Sequence, residues 1–251
     1  MNLKRIIPVL LLKNDELYKT TQFGASRYIG DPINAVKIFN EKEVDELIIL
    51  DIEATIKQKE PNYNLLEEIA SESFVPLAYG GGVKDIEVFK KLVQIGFERI
   101  CINSATLNEE FVKACVQKFG SSSVIASIDY KLINHEPYVY THSGRKKCNI
   151  LLDEKAIQME KWGVGELIVN NINLDGSYKG YDLDRIILLK EKLNIPVIIC
   201  GGASSINDLK KALSNDISAA AGSLFVYYGN LKAVLINYPS RDKLKFSDDR
   251  Y

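Results

Sequence analysis

Val75-Pro76-Leu77-Ala78-Tyr79-Gly80-Gly81-Gly82-Val83-Lys84-Asp85 runs from a proline-opened apolar stretch into three glycines and then into a helical pattern beginning near Asp85. A backbone without Cβ atoms lets an anion approach its N–H groups, and the helix after it adds a favourable dipole. A strand followed by glycines can also simply turn a corner. The design recurs, however, in Ile195-Pro196-Val197-Ile198-Ile199-Cys200-Gly201-Gly202-Ala203-Ser204.

The echo belongs to a longer repeat. Glu46-Leu47-Ile48 returns 120 residues on as Glu166-Leu167-Ile168, Pro76 returns as Pro196, and Asn103-Ser104 matches Gly222-Ser223. Continuous β-branched runs of the kind buried on both faces occur at 5–12, 46–52, 76–79, 99–103, 124–129, 166–171, 196–200 and 218–222. Helical patterns alternate with them at 32–43, 65–72, 85–95, 108–119, 153–162, 182–193, 206–213 and 231–238. Eight strands alternating with eight helices predict a closed (β/α)₈ TIM barrel, an α/β fold in one domain spanning 1–251. The repeat divides it into half-barrels of about 1–120 and 121–240, neither stable alone because four parallel strands leave an open edge. The first strand aligns with 124–129, which places Leu11 opposite Asp129.

Barrel sites gather at the C-terminal ends of the strands. One anion cradle is expected from Gly81, Gly82, Asn103 and Ser104, and a second from Gly202, Gly222 and Ser223, with Asp175 and Gly176 from the sixth loop. Two cradles across one mouth imply a long ligand with a phosphate at each end.

The bulk properties limit the alternatives. The 251 residues carry a formal net charge of −1, so no overall field favours nucleic acid or an anionic membrane. No apolar run is long enough to span a bilayer, and residues 5–13 read as a buried strand rather than a secretion signal, so a cytoplasmic location is expected. Cys101, Cys115, Cys148 and Cys200 lack metal spacing and read as reduced thiols; His135 and His142 form no metal pair. No metal or cofactor is expected.

Gly30-Asp31-Pro32, Asp45-Glu46-Leu47, Leu50-Asp51-Ile52, Gly80-Gly81-Gly82, Ile102-Asn103-Ser104, Ile128-Asp129, Asp175-Gly176 and Gly201-Gly202-Ala203 come in this order between Lys4 and about Phe225. With these markers the chain resembles the cyclase subunit of imidazole glycerol phosphate synthase. The resemblance implies a bis-phosphorylated ribulosyl-imidazole substrate and a glutaminase partner whose ammonia travels through the barrel. It also implies acid–base chemistry yielding imidazole glycerol phosphate and an aminoimidazole carboxamide ribotide. That chemistry uses two facing carboxylates. Asp129 matches one, but the other position holds Leu11, and Asp15 lies in the following loop. Lys19 matches the family's substrate-gripping first-loop lysine, or is a solvated loop lysine. Asp175 holds a substrate group, or merely forms a turn. Asn170, Asn171 and Cys200 stand where the family carries hydroxyls.

At the opposite end, Arg5, Glu46, Arg99 and Glu166 match the family's charged gate for ammonia, and Glu98 matches an acid that contacts the glutaminase. Ordinary salt bridges at strand starts are the competing reading. With the gate kept and one acid lost, the chain resembles cyclase-like paralogues associated with bacterial surface polysaccharides. There a glutaminase, the barrel and a sugar amidotransferase together convert an acetamido sugar to an acetamidino sugar. Two other readings stay open: a working cyclase of histidine biosynthesis, and a non-catalytic scaffold that activates the glutaminase. The insertion 131–149 resembles a family hairpin at the mouth, and the charged tail beyond Pro239 is expected to fray.

Overall fold

A computed structural model describes residues 4–229, 231–240 and 244. Eight parallel strands close on themselves: β1 (Ile6–Lys13), β2 (Leu47–Asp51), β3 (Leu77–Gly80), β4 (Arg99–Ile102), β5 (Val124–Ile133), β6 (Glu166–Asn171), β7 (Val197–Cys200) and β8 (Ser218–Ala221). Each pairs with its sequence neighbours, and β8 pairs with β1 to close the ring. The fold is the expected (β/α)₈ barrel.

Among the described residues seven helices of eight or more residues fill the connections: α1 (Pro32–Glu41), α2 (Tyr63–Glu72), α3 (Ile86–Ile95), α4 (Glu109–Phe119), α5 (Leu152–Lys161), α6 (Leu183–Lys190) and α7 (Ile206–Ser214). Side-chain caps fix several of their starts. Asp31 accepts from the Asn34 N–H at 2.7 Å, Asp85 from Glu87 and Val88, and Asn108 from Phe111. Each cap satisfies amide donors that the first helical turn cannot pair internally.

Strand alternation builds two cores. Ile7, Val9, Ile48, Ala78, Cys101, Ile125, Ile168, Ile198 and Ala220 point inward and fill the barrel. Their neighbours point outward and pack against the helices in a larger cluster. Both faces of every strand are buried, which is why the sequence reads as unbroken apolar runs.

Two expectations need correction. The helix expected at 231–238 is absent: after the short helix Ser223–Val226 the chain forms an antiparallel pair, Tyr227–Tyr228 with Ala233–Val234. The Leu235 and Asn237 N–H groups donate to Val226 and Phe225 carbonyls, so they are not available to a local helix. The loop after β1 carries a hairpin, Glu16–Thr20 paired with Ser26–Gly30, continuing antiparallel from β1. The helix expected at 182–193 closes earlier, at Lys190. Most of the charged tail lies outside the described residues. No helix among the described residues is long and apolar enough to cross a membrane.

Candidate functional site

A cavity of about 630 Å³ opens at the C-terminal end of the strands. Leu11, Lys19, Gly81, Gly82, Asn103, Ser104, Asp129, Asp175, Gly222 and Ser223 all line it. Gly176 and Gly202 do not. Gly202 (φ 111°) lies beneath the Gly180 backbone, whose N–H donates to the Gly202 carbonyl at 2.8 Å, and Gly176 lies beneath Thr20. Both glycines permit close backbone packing one layer behind the site.

Gly81 has φ 121°, and a Cβ there would strike the Asp51 backbone. Asp51 in turn accepts from the Glu53 and Ala54 N–H groups, both at 2.9 Å, and so starts the short helix Ala54–Lys57 beside the glycine turn. Asn103 and Ser104 form the corner between β4 and the 3₁₀ turn Ser104–Leu107.

Asp129 ends the inward-facing row of β5 and is buried. Asn103 Nδ2 donates to its Oδ2 at 3.2 Å and Asn170 Nδ2 approaches its Oδ1 at 3.5 Å. Burial pushes its pKa up to about 7, the Asn170 hydrogen bond opposing and the Asp175 charge adding to the rise. A carboxyl with that value holds or releases a proton near neutral pH. Its expected partner position is apolar. Leu11 pairs in register with Leu50 of β2 and with Tyr18 of the first hairpin, and it packs on the barrel's inner core. Asp15 offers no replacement. It is exposed in the left-handed turn between β1 and the hairpin, outside the cavity lining.

Lys19 is not a solvated loop lysine. The first hairpin turns it inward to 5% exposure, where its ammonium donates to the Val9 carbonyl and lies against Gly222. Burial lowers its pKa to about 8 against the opposing pull of Asp175. Asp175 rises to about 6, again chiefly through burial, and Thr20 Oγ1 lies 3.5 Å from its Oδ2. The Asp175 backbone carbonyl accepts from the Gln22 N–H at 2.9 Å, tying the sixth loop to the first hairpin.

The insertion after β5 is a hairpin, with strands Glu136–Thr141 and Lys146–Leu151, whose tip reaches across the mouth. The His142 N–H donates to Ser104 Oγ at 3.1 Å, Ser143 Oγ to the Ile52 carbonyl at 2.8 Å, and Gly144 packs on Phe23. Arg145 lines the cavity from this tip. The sequence offered one signal for this role: a Thr-His-Ser-Gly turn closing a polar insertion.

At the opposite end, two arginines and two glutamates form a closed ring. Arg5 Nη1 lies 2.5 Å from Glu46 Oε2 and its other nitrogen engages Glu166; Arg99 Nη1 lies 3.2 Å from Glu46 and its Nη2 also engages Glu166. Both glutamate side chains are almost fully buried. Burial works against the Arg99 charge, but Glu46 and Glu166 outweigh it and raise its pKa. Directly inside the ring begins the apolar lining of Ile7, Ile48, Cys101 and Ile168. Among the described residues no group of three or more histidine, cysteine, aspartate or glutamate side chains is placed to hold a metal ion.

Comparison with known proteins agrees with this arrangement. The family of histidine biosynthesis proteins matches residues 5–232. A Leptospira borgpetersenii protein provisionally named imidazole glycerol phosphate synthase subunit HisF is 45% identical, over 94% of this chain and 95% of its own. A Pseudomonas aeruginosa protein provisionally named imidazole glycerol phosphate synthase subunit hisF2 is also 45% identical, over 96% and 98% of the two chains. Imidazole glycerol phosphate synthase subunit HisF of Petrotoga mobilis is 36% identical over 90% and 91%. With a matching family over nearly its whole length and a barrel whose two ends are built as described, the chain belongs to the histidine biosynthesis protein family as a HisF-like member.

Proposed function

We propose that this chain is the ammonia-conducting barrel of a glutamine amidotransferase complex, and that it no longer completes the family's own ring-closing reaction. In this reading a glutaminase docks at the N-terminal face, over Arg5, Glu46, Arg99 and Glu166. Ammonia enters through that ring, crosses the apolar barrel interior and leaves at the cavity. There it serves amidation of a bacterial surface-glycan sugar, an acetamido group becoming an acetamidino group, with transfer performed by a third protein.

The carrying observation is Leu11 at the mouth, in one cavity with Asp129, Lys19 and Asp175. Ring closure and C–N cleavage need separate proton transfers, and a leucine at the end of β1 can perform none. An apolar interior favours neutral ammonia over ammonium, because burying an unpaired charge there is far more costly than burying an uncharged polar molecule. The loops at Gly81-Gly82, Asn103-Ser104 and Gly222-Ser223, with Lys19 and Asp175, would hold a phosphorylated ligand that is bound but not consumed. The competing reading, an active cyclase of histidine biosynthesis, is favoured by Asp129, whose pKa near 7 suits acid–base work.

Charge reversal at the entrance tests the channel. In the assembled complex, Arg99→Glu is expected to stop product formation from glutamine while leaving product formation from added ammonium. Equal loss with both nitrogen sources, or none with either, contradicts a conducting role.

A further inference from the structure

The buried face of α5 carries Leu152, Lys155, Ala156 and Met159, the i, i+3, i+4, i+7 stripe of a helix packed on a core. Lys155 is the one charged member, and it is only 2% exposed. Burying an ammonium on a core stripe is unfavourable where methionine or leucine would pack without penalty, unless its donors are satisfied. Here they are. Nζ donates to the Thr106 carbonyl at 2.6 Å and to Gln158 Oε1 at 2.9 Å, and it lies 5.1 Å from the centre of the Trp162 ring.

Thr106 belongs to the one-turn 3₁₀ helix that begins at Ser104. Its carbonyl lies towards the negative end of that turn, where a cation is favourable. The Thr106 hydroxyl donates to the Asn103 carbonyl at 2.6 Å, and the Thr106 N–H reaches the same oxygen at 3.0 Å. Asn103, its backbone held from behind, directs Nδ2 to the Ser127 carbonyl at 2.9 Å and to Asp129 Oδ2 at 3.2 Å. Lys155, Thr106, Asn103 and Asp129 are therefore connected in that order by direct hydrogen bonds from the outer helix to the cavity.

We propose that Lys155 is a positioning residue for the site: from behind the barrel wall it locks the 103–107 corner, and through Asn103 it holds the Asp129 carboxylate in its ionisable setting. The inference rests on Asp129 being the site's proton-handling group. It does not depend on where ammonia goes. The groups facing Asp129 are Asn103 from β4's end, Asn170 from β6, Asp175 from the sixth loop and the Cys200 thiol from β7's end. Those around Lys155 are Thr106, Gln158, Trp162 and the Cys148 thiol. Burial lowers the Lys155 pKa to about 8, so near neutral pH it still donates as an ammonium.

The test is the titration of the Asp129 carboxyl in the full chain, followed by ¹³C NMR and assigned by comparison with Asp129→Asn. No substrate, ammonia or partner is present, so failure of the conducting role cannot be mistaken for failure here. Lys155→Met loses the hydrogen bond to Thr106 and so loosens the Asn103 donor to Asp129. The Asp129 midpoint is expected to rise by about half a pH unit or more. Lys155→Arg keeps a cationic donor and is expected to return the midpoint towards wild type. Met159→Ala, on the same stripe but without a link to the corner, is the control for general loosening: its melting temperature falls and its Asp129 midpoint stays. A Lys155→Met midpoint equal to wild type, or a shift of the same size in Met159→Ala, overturns the proposal.

Discussion

Arg5 and Glu46 meet at 2.5 Å at the N-terminal end of the barrel, and Arg99 approaches the same glutamate at 3.2 Å. Glu166 completes the ring with both arginines. Each carboxylate is thus held between two guanidinium groups, where like charges are kept apart by opposite ones.

Removing one cation leaves two buried carboxylates sharing a single partner. Arg99→Met is expected to destabilise the barrel by about 2–4 kcal/mol, less than a fully buried pair because the guanidinium keeps some contact with solvent. Adding Glu46→Gln to Arg99→Met should recover part of that loss. Urea denaturation of the two variants checks this.

Two glycines on the cavity wall are expected to respond differently to alanine. At Gly81 the new Cβ meets the Asp51 backbone and φ is 121°, so neither neighbour can yield cheaply. Gly81→Ala should lower stability by about 2–4 kcal/mol. At Gly222 the Cβ meets the end of the Lys19 side chain, which can swing away. Gly222→Ala should fold with near wild-type stability yet release the first hairpin. Faster amide hydrogen exchange over residues 16–30 is the measurement.

The raised pKa of Asp129 fixes the sign of a stability change with pH. Its folded value of about 7 lies above the ordinary aspartate value of about 3.9, so the folded state holds the proton longer. Stability from this group therefore falls as pH rises from about 4 to 7 and is flat above. Asp129→Asn removes the penalty. Relative to wild type it should be more stable at pH 8, on the order of 2 kcal/mol, and gain nothing at pH 4. Thermal denaturation at the two pH values decides.

The strands were legible because inward and outward faces are both buried, which leaves continuous runs such as Ile6 to Leu12. The charged ring was legible because its four members stand at or just before strand starts, where their inward direction comes from strand alternation alone. The segment after β8 was not legible. Its apolar spacing suits a helix, but Asn237 and Tyr238 instead bond back to Phe225 and Ile6. The depth of Lys19 was equally hidden, because only the pairing of the first hairpin with β1 turns that residue into the barrel mouth. Lys155 could have been noticed as a lysine on an apolar stripe. Its partner Thr106 lies 49 residues earlier and no local pattern joins them.

Leu11 bears the central claim, and one assay addresses it directly. The purified chain, supplied with ammonium and the bis-phosphorylated ribulosyl-imidazole precursor, is followed for release of aminoimidazole carboxamide ribotide. No turnover above the uncatalysed background is predicted. Robust turnover by the wild-type chain, lost in Asp129→Asn, would contradict the account and make this barrel a working cyclase with a single carboxylate.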